Sequence, residues 1–235
     1  MLNRRMFCGC GAAAFAASVL SVPARAEAPG CKVITPDAQK AIKPAEALAR
    51  LKEGNGRFVD GNTINCDLRA QVRETASGQA PFAAVVGCID SRVPPELVFD
   101  QRIGDIFCAR VAGNFVNTDI LASLEFATQL SGAKAIVVLG HNNCGAIKGA
   151  VDHVRVGHLG EMLANFQPAI AASKVDGPRN SKNAKFVQDV AVNNVRMTVA
   201  SLTKRSKILR KLVADGQLVI APAMHDLSTG KVQFM

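Results

Sequence analysis

The chain has 235 residues, 49% of them hydrophobic, with 28 Lys+Arg against 19 Asp+Glu and a formal net charge of +9. That is enough apolar material for a domain-sized core, which excludes a disordered or low-complexity chain. The basic excess contains no dense run, and with no Trp and no Tyr stacking platforms are scarce, so a nucleic-acid partner is not expected.

Residues 1–26 read as an export signal. Asn3-Arg4-Arg5-Met6-Phe7 is a twin-arginine n-region, Gly11 to Val22 is apolar and Ala-rich, and Ala24-Arg25-Ala26 supplies a small-x-small cleavage site before Glu27. The apolar stretch falls short of the ~20 residues that span a bilayer. A periplasmic or otherwise exported mature chain, with no membrane attachment after cleavage, is therefore expected. Removing the leader leaves 25 basic against 19 acidic residues and five of the seven cysteines. Cys108 lies in an apolar run and reads as a buried free thiol. Cys31 and Cys66 could pair in an oxidising compartment, but the sequence supplies no geometry for the bond and the pairing is left open.

Residues 27–43, with Pro29 and Pro36, read as an extended N-terminal arm. Pro44 suits a first helical turn and opens a helix over Ala45 to Glu53, which Gly54-Asn-Gly56 should stop. A second amphipathic stretch, Leu68 to Ala76, ends near Gly78. Beyond it, Phe82–Val86, Ile106–Val111, Ala135–Leu139 and Leu218–Ala221 are continuous apolar runs, the pattern of strands covered on both faces. Between them Ile120, Leu121, Leu124, Ala127 and Leu130 recur at helical spacing, as do Val187, Ala191, Val195, Val199 and Leu202. Ser206 is an N-cap for a short helix that Gly216 closes. This alternation predicts a single α/β domain over residues 44–235: a mostly parallel central sheet flanked by helices, with the N-terminal arm and first helix leading into it.

Two strings stand out against that background. Cys88-Ile-Asp90-Ser-Arg92 follows the first apolar run by one glycine, and His141-Asn-Asn-Cys144-Gly145 follows the third by another. Each residue alone is ordinary: a core thiol, a structural histidine, a solvated ion pair. Together, two thiolates and one imidazole at the carboxyl ends of parallel strands form a three-ligand zinc set with one position left for chemistry. A helix beginning after Cys144 would favour its thiolate. Asp90 and Arg92, two apart on an extended segment, would point the same way, and Pro94-Pro95 should keep the chain from turning helical just beyond. The arginine fork would hold the carboxylate able to accept a proton from water on the metal.

On these strings the chain resembles a β-class carbonic anhydrase, from about Pro44 to the C-terminus. Arg110-Val-Ala-Gly113-Asn114 and Asp226-Leu-Ser-Thr-Gly230-Lys-Val are similar to two further motifs of that family. The resemblance implies one Zn2+ held by Cys88, His141 and Cys144, with Asp90 and Arg92 as the dyad beside it and Asp90 as a fourth ligand in a closed state. It implies Gln79 as the amide that binds bicarbonate, Phe107 as an apolar pocket wall, and Gly145 beside the substrate. The activity implied is reversible hydration of CO2 to bicarbonate and a proton by zinc-bound hydroxide, in a homodimer or dimer of dimers with the pocket at the interface. A zinc hydrolase for carbonyl sulfide or carbon disulfide, and a non-catalytic zinc protein closed by Asp90, are the alternatives. A redox role lacks its Cys-x-x-Cys. Departures are Phe126 where the family often has Tyr, Val85 where bicarbonate-regulated members carry Trp, and His225 where they carry Tyr. Allosteric inhibition by bicarbonate is therefore not expected.

Overall fold

The structure, a computed structural model, describes residues 31–235; the export signal expected over residues 1–26 lies outside them. Among the described residues no helix is long and apolar enough to cross a membrane.

The helices are α1 (Pro36–Ala41), α2 (Pro44–Val59), α3 (Leu68–Thr75), α4 (Pro95–Val98), α5 (Thr118–Glu125), α6 (Gly145–Val151), α7 (Leu159–Leu163), α8 (Gln167–Ala172), α9 (Ala184–Arg205) and α10 (Lys207–Ala214). The strands are β1 (Ala83–Gly87), β2 (Ile106–Arg110), β3 (Ala135–His141), β4 (Val219–His225) and β5 (Val232–Phe234). They form one sheet in the order β2-β1-β3-β4-β5. The first four run parallel and β5 pairs antiparallel with β4.

Helices cover both faces, which is why β1 and β3 read as unbroken apolar runs. Ala84, Val86, Ile136 and Val138 pack with Val187, Val190 and Val195 of α9. The alternate residues Ala83, Val85, Val137 and Leu139 pack with Ala47 and Leu51 of α2 and with Phe99. Ser206 caps α10, its hydroxyl accepting from Leu209 N–H at 3.0 Å.

Four expectations are corrected. The arm is helical over Pro36–Ala41, where Thr35 caps the turn by accepting from Ala38 N–H. Gln39 on that helix donates to the carbonyls of Pro81 (2.6 Å) and Ser131 (2.7 Å), tying it to the start of β1. Second, α2 runs through Gly54-Asn-Gly56 instead of stopping there. A Cβ on Gly54 would lie 1.8 Å from the Phe99 carbonyl oxygen, so this glycine serves close packing. Asn55 is buried and donates to the carbonyls of Val98 and Gly230, each at 2.9 Å, while accepting from Val232 N–H at 2.8 Å. Third, the chain turns helical directly at Pro95, the first residue of α4; a proline at that position loses no helical hydrogen bond. Fourth, the helix expected through Leu130 ends as α5, and a π-helical turn covers Phe126–Leu130.

Cys31 and Cys66 form a disulfide. The fully buried Gln71 of α3 bonds the Cys31 carbonyl at 3.3 Å and accepts from Ile103 N–H at 3.4 Å, which brings the arm to this helix. Sequence spacing carried no trace of that contact.

Gly54→Ala should destabilise the chain by about 1–3 kcal/mol through overpacking. Gly56→Ala, with nothing within 4 Å of the added Cβ, should stabilise it by roughly 0.5–1 kcal/mol. Urea midpoints of the two variants, moving in opposite directions, check this.

Candidate metal and active site

Cys88 directly follows β1, His141 ends β3, and Cys144 is the N-cap of α6. Because β1 and β3 are paired neighbours, their carboxyl ends deliver the first two ligands side by side. The third returns through Asn143, whose φ of 53° is left-handed, a conformation that Asn tolerates better than most residues. The two sulfurs and an imidazole nitrogen all lie within 4.8 Å of one another, and all three residues are buried.

The local electrostatics suit a cation. Gly113 N–H donates to Cys88 Sγ at 3.2 Å. Gly113 has a φ of 77°, and a Cβ there would lie 2.3 Å from the Phe166 ring, so glycine is required twice over. Hydrogen bonding, from the neighbouring Cys144 thiol and from Gly113 N–H, lowers the Cys88 pKa despite burial. The same shared hydrogen bond, then burial, pushes Cys144 up. His141 Nδ1 lies 2.8 Å from the Asn142 carbonyl, which fixes its proton there, and Nε2 is buried with no partner. A bare imidazole lone pair facing two sulfurs is a donor set that fits zinc, whose binding would displace the thiol proton.

Asp90 and Arg92 stand beside it. Arg92 Nε donates to Asp90 Oδ1 at 2.9 Å and Nη2 to Oδ2 at 2.7 Å, a two-point fork. The segment is a turn, not the extended stretch expected: Val93 N–H bonds the Asp90 carbonyl and Arg92 N–H bonds Asp90 Oδ1. The turn, more than i,i+2 alternation, brings the two side chains together. Hydrogen bonding from Arg92 holds Asp90 well below the usual carboxylate range. Asp90 Oδ2 is 3.9 Å from His141 Nε2, next to where a metal would lie. Arg110, known from the sequence only as part of a motif, clamps the backbone here: its Nε donates to the Cys88 carbonyl and its Nη2 to the Asp90 carbonyl, both at 2.8 Å.

Not every expected residue joins this cluster. Gly145 does, as the first residue of α6 with open space around its Cβ position. Gln79 precedes β1 by four residues, whereas Cys88 follows its end; a five-residue strand, roughly 16 Å long, separates them. Phe107 pairs with Ala84 near the start of β1. It lines an apolar cavity of about 550 Å³ with Ile120 and Phe126 along the β2 edge. Within one chain, Gln79 and Phe107 therefore stand away from the metal ligands. His225 lies opposite His141 in the β3–β4 register, buried with neither ring nitrogen bonded. Burial first, and His141 second, lower its pKa.

In the metal-free chain Cys88 should ionise well below an ordinary thiol, while the Cys108 thiol, pushed up by burial, stays protonated. Ultraviolet thiolate absorbance titrated on the metal-free protein checks this. A signal of about one thiolate per chain at mildly acidic pH should disappear in Cys88→Ser.

The comparisons agree with this geometry. A family profile described as carbonic anhydrase matches residues 83–232. Carbonic anhydrase 2 of Mycobacterium tuberculosis is 36% identical over 193 residues, covering 80% of this chain and 91% of the relative. The carbonic anhydrase of Mycolicibacterium smegmatis is 34% identical over 196 residues, covering 81% and 92%. Among solved structures, the Coccomyxa β-carbonic anhydrase in complex with acetazolamide superposes with a TM-score of 0.63 at 27% identity, covering 79% of this chain and 85% of that one. With three ligands, an aspartate–arginine pair and a mostly parallel sheet in place, the chain belongs to the carbonic anhydrase family, in its β class.

Proposed function

We propose that this chain hydrates CO2 reversibly to bicarbonate and a proton, with one zinc ion held by Cys88 Sγ, His141 Nε2 and Cys144 Sγ. The observation that carries this reading is the Asp90–Arg92 fork beside a three-ligand cluster. Zinc held there would supply Lewis acidity, making a nucleophile of water near neutral pH.

The chain's own groups do the rest. Arg92 keeps Asp90 ionised, so Oδ2 accepts a hydrogen bond from the attacking water and orients it. A carboxylate held that far below its usual range is a poor proton acceptor, so it would orient the water while the proton leaves to solvent or a buffer base. The pair's stabilising contribution is complete above the ordinary carboxylate pKa of about 4 and is lost only as pH falls well below it. Turnover between about pH 6 and pH 9 therefore takes no inflection from Asp90.

Closure of the site by Asp90 would require both Arg92 bonds to break, which favours the enzyme over a permanently closed zinc protein. Carbonyl sulfide or carbon disulfide hydrolysis uses the same parts and stays the second substrate reading. Asp90→Asn should slow CO2 hydration about 10- to 100-fold, as loss of an outer partner usually does, with zinc content unchanged. Stopped-flow assays with zinc determined on the same sample read this; unchanged turnover would remove Asp90 from the mechanism.

The active unit in this reading is at least a homodimer. Gln79 and Phe107, distant from the zinc ligands of their own chain, would complete the site of a second copy docked along the β2 edge. The apolar cavity there, and the half-exposed Phe126 on its wall, support that contact. Mixed dimers of Gln79→Ala and Asp90→Asn chains test it: one intact site forms if Gln79 acts across the interface. Activity should recover towards half that of the native dimer. No recovery over either parent would place Gln79 in its own chain's site.

Export through the twin-arginine signal at residues 1–26 belongs to the same reading. The Cys31–Cys66 disulfide supports an oxidising destination such as the periplasm.

A further inference from the structure

We propose that Asn142 and Asp226 are positioning residues for His141, fixing the peptide that receives its Nδ1–H and so aiming Nε2 at the metal. This rests on the zinc reading above and extends it to two residues, one in the His141 string and one in the β4–β5 turn, to which neither motif gave a role.

The acceptor of the imidazole N–H is the Asn142 carbonyl at 2.8 Å. That oxygen belongs to the peptide between Asn142 and Asn143, so its direction is set by those two residues. Asn143 contributes a left-handed φ of 53°. Asn142 is anchored at three points. Its N–H donates to the His225 carbonyl at 3.1 Å, continuing the β3–β4 ladder. Its Oδ1 accepts from Leu227 N–H at 2.9 Å, and its Nδ2 donates to Asp226 Oδ1 at 3.2 Å.

Asp226 is itself held. Its Oδ1 accepts from the N–H and the hydroxyl of Ser228. Its backbone closes the β4–β5 turn through bonds from Gly230 N–H at 2.8 Å and to the Lys231 carbonyl at 2.9 Å. The turn is thus a fixed support more than 80 residues away in sequence. A zinc-bound histidine commonly gives its other N–H to a carboxylate or carbonyl that sets ring direction and basicity. Here the carboxylate acts at one remove, through an amide and a backbone carbonyl.

The plainer role is a staple that only steadies the hairpin. A pair of substitutions separates these roles. Asn142→Asp keeps shape but sets two carboxylates against each other, whereas Asn55→Ala loosens the same hairpin from α2, by losing its bonds to the Gly230 carbonyl and from Val232 N–H, and leaves Asn142 and Asp226 untouched. The readouts are zinc affinity by competition with a chromophoric chelator, the visible spectrum of the cobalt(II) form, and the thermal midpoint of the metal-free chain. Asn142→Asp should lose about tenfold or more in zinc affinity and shift the cobalt bands. Asn55→Ala should lower the thermal midpoint while keeping zinc affinity within about threefold of the native protein, because it removes no outer partner of the histidine. Asn142→Asp with native zinc affinity and cobalt spectrum would overturn the proposal, even with a lowered midpoint. So would an Asn55→Ala variant that loses as much zinc affinity as Asn142→Asp. A native chain that binds no zinc would instead overturn the zinc reading itself.

Discussion

The structure depends on one meeting point: Sγ of Cys88, Nε2 of His141 and Sγ of Cys144, brought within 4.8 Å at the carboxyl ends of two paired strands. Adjacent parallel strands lie about 4.8 Å apart, so ligands one residue past β1 and at the end of β3 are neighbours by construction. The arrangement is costly unless filled. A buried nitrogen without a partner costs about 1–3 kcal/mol, and burial opposes ionisation of both sulfurs. Metal binding relieves both, which gives a physical reason for a polar cluster inside an otherwise apolar sheet.

Two arginines keep the surroundings in order by different means. Arg92 holds a side chain, the Asp90 carboxylate; Arg110 holds the backbone on either side of Ile89. Two thiolates would offset a divalent metal and Asp90 offsets Arg92, which leaves the Arg110 guanidinium as the remaining charge beside the ligands.

The ligands were legible in the sequence because a strand end is marked twice, by an apolar run and by the glycine that closes it. Gly87 and Gly140 flag where Cys88 and His141 emerge. The four parallel strands were legible from their apolar runs alone, although β4 continues past its run to His225. What escaped was set by contacts distant in sequence. Gly54 looks like a stop until the Phe99 carbonyl is seen against it. Pro94-Pro95 looks like a helix barrier, yet Pro95 opens α4, because a proline is harmless in a first turn. The short strand β5 lacks an apolar run of its own and is defined by its pairing with β4. The anchors of Asn142 come from across the sheet and leave no local pattern. The placement of Gln79 was equally hidden: the resemblance assigns it a role beside bicarbonate, whereas in the fold it precedes β1 and Cys88 follows that strand's far end.

Zinc-edge X-ray absorption on the purified native chain tests the convergence of the three ligands most directly. The account predicts two sulfur neighbours at about 2.3 Å and a lighter shell at about 2.0–2.1 Å containing one imidazole. A shell with three or four sulfurs, or one with no sulfur, would contradict it.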